Sequence, residues 1–152
     1  MDTFPRMDDA TILRLLDVER QTVADTGVTL EKTPYVVRAI GLESSWNGIV
    51  YSRFSPSESE TIVNAEIKYF TQLNRDFEWK VYSHDEPRDL LSQLRNRGLR
   101  IGEEESLMIR DLSGKDSTTT LIFATKLFRG ASTATSYLDR GVLFTAQPFG
   151  AW

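Results

Sequence analysis

His84 is the only histidine in the chain, and it lies in the segment Tyr82-Ser83-His84-Asp85. Histidine is the side chain that ordinarily gains and loses a proton near neutral pH, so it can act as a general acid or base. Tyr82, Ser83 and His84 are therefore the candidate catalytic residues, with Ser83 or Asp85 able to help relay a proton. The structural alternative is a plain turn, in which His84 has no chemical role and Asp85 caps the following helix.

A second polar segment, Arg53-Phe54-Ser55-Pro56-Ser57-Glu58, precedes a helical pattern. The unpaired N–H groups and the dipole at a helix N-terminus attract anions, which would make Arg53, Ser55 and Ser57 candidate anion ligands. The same residues form a capping box, with serine at the cap, proline at the first helical position and glutamate at the third. Because Pro56 has no N–H and Glu58 is itself an anion, the pattern favours a capped helix over an anion site.

Strand and helix patterns alternate around these two segments. Residues 77–83 alternate apolar and polar side chains, as a half-buried strand does, and the next helix is expected to end at Gly98. We expect helices near residues 8–25, 56–73 and 87–97, and strands centred on Val37, Val50, Trp79 and Met108. This alternation predicts an α/β or α+β fold with a mixed sheet, in which the Phe77 and Leu107 strands are neighbours.

The first helix has a clear division into an apolar and a polar face. Its expected buried residues are Ile12, Leu15, Leu16 and Val23, and its expected solvent-facing residues are Arg14, Asp17, Glu19 and Arg20. Asp8 or Asp9 would cap this helix, and Thr26-Gly27 would end it.

The chain resembles one half of a GNAT-type N-acetyltransferase over roughly residues 8–112. The resemblance rests on four segments: Trp46 to Arg53, the strand Phe77-Glu78-Trp79-Lys80-Val81-Tyr82, the helix from Leu90 to Gly98, and the strand Leu107-Met108-Ile109. More narrowly, the chain looks like the N-terminal half of a two-part acetyltransferase, in which a GNAT-like half precedes the catalytic half.

This resemblance implies a GNAT-like mixed β-sheet flanked by helices and, in an active member, acetyl transfer from acetyl-CoA to a small-molecule amine. Such a domain holds the CoA pyrophosphate on the backbone amides of a glycine-rich loop, so Arg53, Ser55 and Ser57 would be the cofactor-binding residues. Residues after the Phe77 strand would face the thioester, which implies a general-acid role for Tyr82, Ser83 or His84. Because the loop Arg53–Glu58 has no glycine, we expect weak or absent CoA binding.

Three interpretations remain open. The chain could be an acetyl-CoA-dependent acetyltransferase, a catalytically silent GNAT-like module that binds a substrate or a second GNAT half, or a truncated or frame-altered form of a longer acetyltransferase. The third is motivated by a change in composition after Leu112, where residues 113–152 become rich in serine and threonine. We expect this atypical tail to add a strand to an open sheet edge, through Leu121–Ala124, or to be partly disordered.

Composition excludes several classes of function. The chain has 152 residues, a net charge of −4 and no cysteine, so it has no disulfide, thiolate zinc site or cysteine nucleophile. With a single histidine we predict no metal, and with no basic patch we predict neither a nucleic-acid nor a membrane partner. No apolar segment is long enough to cross a bilayer and no secretory signal is visible, so we expect a soluble cytoplasmic protein; a homodimer is compatible with the sequence.

Overall fold

The computed structural model describes residues 8–42, 45–102, 105–111, 121–124 and 137–148. Within these ranges the elements are α1 (Asp9–Thr22), β1 (Val28–Lys32), β2 (Val36–Gly41), β3 (Gly48–Ser52), α2 (Ser59–Gln72), β4 (Glu78–Tyr82), α3 (Leu90–Asn96), β5 (Leu99–Ile101), β6 (Glu105–Asp111), β7 (Leu121–Ala124) and β8 (Tyr137–Pro148). The strands form one sheet in the order β1-β2-β3-β4-β8-β6-β7, with β5 also beside β8. Among these described strands only β3 and β4 pair in parallel, so the predicted α+β fold with a mixed sheet is confirmed.

One face of the sheet carries the main apolar core. Helices α2 and α3 cover it, and Phe70 of α2 stacks on Phe77 with their ring centroids 4.4 Å apart. Trp79, Leu90 and Leu94 are fully buried beside them, as their apolar spacing predicts. After α3, Gly98 adopts the left-handed φ of +86° that stops a helix, which confirms the predicted end of this element.

Helix α1 lies on the other face of the sheet and departs from its predicted polarity. Asp8 caps it as expected, because its carboxylate accepts a hydrogen bond from the Thr11 N–H at 2.7 Å. The helix ends at Thr22, before Thr26-Gly27, because Val23 is already extended and largely exposed. Arg20, predicted to face solvent, is instead only 7% exposed. Periodicity placed it on the polar face, but a buried carboxylate from another element holds it against the sheet.

The predicted pairing of the Phe77 and Leu107 strands is wrong. Strand β8 lies between β4 and β6 and pairs antiparallel with both, placing Leu143 opposite Tyr82 and Val142 opposite Ser106. Strand β7, which contains the Leu121 run, pairs with β6 at the edge of the sheet. Local periodicity identifies strands but carries no information on which distant strand pairs with which. The predicted boundary at residue 112, between a GNAT-like domain and a tail, stays a prediction. Strands from both sides of this boundary belong to the same sheet.

A bulge separates the carboxyl ends of the parallel strands β3 and β4. In the β2–β3 ladder Val37 faces Tyr51 and Arg38 faces Ile49, so Val50 is an extra residue, and such a residue bends its strand. Parallel pairing of β3 with β4 is confined to its first two residues, and the chains meet again in an isolated bridge between Arg53 and Glu86. A gap therefore lies between the two strands at their carboxyl ends, where open α/β sheets bind ligands.

Gly48 allows the close approach of β3 and β4 before this gap. A Cβ atom at Gly48 would lie 2.5 Å from the Glu78 carbonyl oxygen and equally close to the Trp46 ring. Any side chain there would push the two strands apart.

No helix in the described ranges combines the length and apolar character needed to cross a membrane.

Candidate functional site

The Arg20 side chain of α1 reaches both strands that border the gap. Its Nε donates to the carbonyl oxygen of the bulged residue Val50 at 2.8 Å. Its two Nη groups donate to the two carboxylate oxygens of Asp85, each at 2.8 Å, and Nη1 also donates to Asp17 at 2.9 Å. The guanidinium lies over the Tyr82 ring, 4.0 Å from its centroid. Arg20 thus connects α1, β3, β4 and the loop after β4 in one buried contact.

Asp85 is the partner that makes this burial tolerable. Its side chain is 3% exposed, and besides the two bonds from Arg20 it accepts the Tyr82 N–H at 2.9 Å. Burial alone would lower the pKa of Arg20, but the hydrogen bonds and charge of Asp85 outweigh it and raise that pKa. The predicted role of Asp85 as a helix cap is wrong, because α3 begins only at Leu90 and the Asp85 carboxylate faces Arg20 instead.

His84 is held by Asp17 of α1. The His84 Nε2 lies 2.8 Å from Asp17 Oδ1 and 4.0 Å from Asp85 Oδ1. Burial favours the neutral form of Asp17, but hydrogen bonds and charges from His84 and Arg20 prevail and lower its pKa. Asp17 is therefore ionised at neutral pH, and Nε2 carries the proton that it accepts. The other ring nitrogen, Nδ1, is buried and has no hydrogen-bond partner among the described residues.

The structure brings together two of the three predicted catalytic residues. The rings of Tyr82 and His84 lie 5.9 Å apart, and Tyr82 is 5% exposed beneath Arg20. Burial is the main reason that the pKa of Tyr82 is raised, although Arg20 opposes it. Ser83 lies between them in the turn after β4 and is exposed. Tyr82 and His84 thus belong to a cluster with Asp17, Arg20 and Asp85, which we call the Arg20 cluster.

A cleft of about 200 Å³ opens beside the Arg20 cluster at the carboxyl ends of β3 and β4. Its lining residues are Asp17, Tyr51, Ser52, Arg53, His84, Asp85 and Glu86. His84 and Arg53, predicted from separate segments, therefore face one cleft. The buried Ser52 closes its inner side, where Ser52 Oγ accepts the Trp79 Nε1–H at 3.2 Å.

The predicted phosphate loop is closed on itself. The Glu58 carboxylate accepts the Ser55 N–H at 3.0 Å and the Ser55 hydroxyl at 2.7 Å, and the Ser55 and Ser57 hydroxyls are 3.0 Å apart. The bond from the Ser55 N–H is the chief reason that the pKa of Glu58 is lowered, so Glu58 is an anion at neutral pH. Both donors of Ser55 are thus taken by the Glu58 carboxylate, and the Ser57 hydroxyl contacts that of Ser55.

Only half of the predicted capping box forms. Glu58 reaches back to the Ser55 N–H, but the Ser55 hydroxyl donates to Glu58 and does not accept from its N–H. The Glu58 N–H bonds to the Ser55 carbonyl oxygen at 3.0 Å, which makes residues 55–58 a tight turn. Helix α2 therefore begins at Ser59, three residues after the predicted Pro56.

Three side chains of the Arg20 cluster have the chemistry of metal ligands. Single ligand atoms of Asp17, His84 and Asp85 all lie within 4.8 Å of one another. The Arg20 guanidinium already donates to both carboxylates, however, so a metal ion would lie against an existing cation. These three ligands could hold a metal ion only if the Arg20 side chain moved away. Its further contacts with β3 and β4 hold Arg20 in place, so the arrangement does not fit a metal.

Sequence reasoning missed Asp17 and Arg20 as site residues, and it considered Asp85 for proton relay or as a helix cap but not as the partner of Arg20. Their one local signal is the i, i+3 spacing of Asp17 and Arg20, which is also that of an ordinary exposed helix pair. No local sequence feature distinguishes Arg20 from the exposed Arg14.

Comparisons of the chain with protein-family models, with curated proteins and with solved structures find no match.

Proposed function

We propose that this chain is a GNAT-like half of an acetyltransferase that does not itself hold acetyl-CoA. In this proposal it is a cytoplasmic, catalytically silent module that binds a substrate or a second, catalytic half. The observation that carries the proposal is the occupation of both Ser55 donors by the Glu58 carboxylate.

The charge at this helix start opposes a pyrophosphate. An anion gains at a helix N-terminus from unpaired N–H groups and the positive end of the dipole. Here Glu58 takes the Ser55 N–H, Pro56 has no N–H, and Glu60 adds a second carboxylate in the first turn. A pyrophosphate would have to displace one carboxylate and approach another.

The gap between β3 and β4 gives independent support. An extended ligand lying between two separated strands would bind through their free backbone groups. The Val50 carbonyl oxygen is taken by Arg20, and the Tyr82 N–H is taken by Asp85. The Arg20 cluster thus replaces such a ligand with side chains of the protein.

Calorimetric titration with acetyl-CoA tests the proposal. We expect no saturable binding, that is, a Kd weaker than about 1 mM. The double variant Pro56→Gly, Glu58→Gly removes the competing carboxylate. It should be less stable than the unaltered protein, and it should not gain micromolar affinity, because the Arg20 cluster still spans the gap. Saturable micromolar binding of acetyl-CoA to the unaltered protein would overturn the proposal.

A second candidate function is direct acetyl transfer to an amine. It is favoured by the Asp17–His84 pair that lines the cleft, since a carboxylate that orients a histidine is a common general-base arrangement; because the free Nδ1 is buried, His84 would act as the base only after its ring turns toward the cleft. A neutral amine would attack the thioester carbon, and the C–N bond would form as the C–S bond breaks. The amine nitrogen would give up one proton, and the CoA thiolate would take one. Release of free CoA thiol with a panel of amines, lost in His84→Asn, would favour this candidate over the silent module.

A further inference from the structure

A groove runs along the sheet beside α1, separate from the cleft at His84. Helix α1 buries only Leu16 and Arg20 among its own residues, so it leaves part of the sheet beside it uncovered. The groove holds about 270 Å³. Its lining combines the aromatic residues Trp46 and Tyr82 with the aliphatic residues Leu16, Val23, Ala24, Val28, Leu30, Ala39 and Val50. The small side chain of Ala39, 2% exposed, lies where the groove passes over β2.

One carboxylate of this groove lacks a counter-ion. Glu19 lines the groove and is partly buried, and its carboxylate forms no hydrogen bond or ion pair with the residues that the structure describes. Burial accordingly raises the pKa of Glu19. Desolvating a carboxylate without a partner is unfavourable, so Glu19 would gain from a cation at this position.

Neither cation that lines the groove forms an ion pair with Glu19 among the residues that the structure describes. Arg20 is bound to Asp85 and Asp17 on its other side. The Lys80 ammonium lies over the Trp46 ring, 4.8 Å from its centroid. Asp25, an exposed residue at the end of the groove, adds a second carboxylate. The groove therefore combines an apolar floor with a partly buried carboxylate, Glu19, that no cation among the described residues pairs with.

We propose that this groove binds a small organic cation with a short aliphatic body. The body covers the apolar floor around Leu30, Ala39 and Val50, and the charged end meets Glu19. Ligand sites are commonly apolar clefts with a few placed polar groups, and this volume suits a ligand smaller than a typical drug. The inference goes beyond the proposed function and needs no acetyl-CoA, so either can fail without the other.

The probe is n-hexylammonium chloride, added to the ¹⁵N-labelled protein and followed by NMR. We expect saturable shifts at groove residues such as Ala39 and Val50. Hexan-1-ol, which has the same body without the charge, should bind more weakly, and hexanoate should not compete. Equal affinity for hexanol, or shifts that lie outside the groove, would overturn the proposal.

The decisive variant is Glu19→Gln, which keeps the side-chain shape and removes the charge. We expect its affinity for hexylammonium to fall about three- to tenfold, as for the loss of one partly desolvated ion pair. Glu60→Gln is the matched control, because Glu60 is an exposed carboxylate on α2 that does not line the groove, and its affinity should be unchanged. Thermal melts check that both variants are folded, and unchanged affinity in folded Glu19→Gln would refute the assignment of Glu19.

Discussion

Removing the Asp85 carboxylate should be among the most destabilising single changes in this protein. In Asp85→Ala, Arg20 keeps its place beneath α1 but loses both bonds of 2.8 Å to the carboxylate. The Tyr82 N–H also loses its acceptor. The result is a buried guanidinium without its main counter-ion, next to a buried N–H group without a partner.

The size of the effect follows from this burial. The two side chains are 5% and 3% exposed, so the low value of a surface ion pair does not apply. Removing one partner of such a pair costs about 3–5 kcal/mol, because the remaining charge stays desolvated. For a chain of this length that corresponds to a fall in Tm of roughly 6–20 °C.

Urea denaturation of Asp85→Ala at pH 7, followed by circular dichroism, measures this loss. Asp76→Ala is the control, since Asp76 is exposed, and it should change the free energy of unfolding by less than about 0.5 kcal/mol. The double variant Arg20→Met, Asp85→Leu replaces the pair with apolar groups and should be more stable than Asp85→Ala. If Asp85→Ala lost less than about 1 kcal/mol, Arg20 would be accessible to water and our description of the gap would be wrong.

Three further predictions concern other parts of the fold. The pKa of Asp17 is lowered, so its contribution to stability is complete above its ordinary value of 3.8 and is lost as the pH falls through the lower pKa of the folded state. The urea midpoint of Asp17→Asn should therefore lie below that of the unaltered protein at pH 7, and the difference should shrink as the pH is lowered below 3.8. Gly48→Ala should destabilise the protein by about 1–3 kcal/mol, because the new Cβ would overpack against the Glu78 carbonyl oxygen. Gly98→Ala has open space around its new Cβ, so only its positive φ should lower the stability. Equal falls in Tm for the two variants would contradict this distinction. Deleting residues 113–152 removes β7 and β8 and leaves the edges of β4 and β6 unpaired, so the shortened protein should aggregate, as measured by light scattering. A soluble and equally heat-stable product would show that these strands are dispensable.

The sequence determined most of the individual elements of the body. The apolar spacing of Leu90 and Leu94 and the glycine after them were enough to locate a helix and its end, since these signals act within a few residues. The strand at Glu78–Tyr82 was likewise visible from its alternation of apolar and polar residues. The position of His84, just after a strand and before α3, was also predictable, and the structure places this residue in the lining of the cleft.

Tertiary structure alone decided the pairing of the strands and the partners of the site. The insertion of β8 between β4 and β6 depends on hydrogen bonds between residues about sixty positions apart, and no local period encodes such a choice. Arg20 and Asp85 are likewise separated by 65 positions, and each by itself has an ordinary surface interpretation. Burial makes these two charges important, because a guanidinium and a carboxylate that leave water must find each other. The sequence therefore supplied the charges, and the packing of α1 over the bulge in β3 made them into a site.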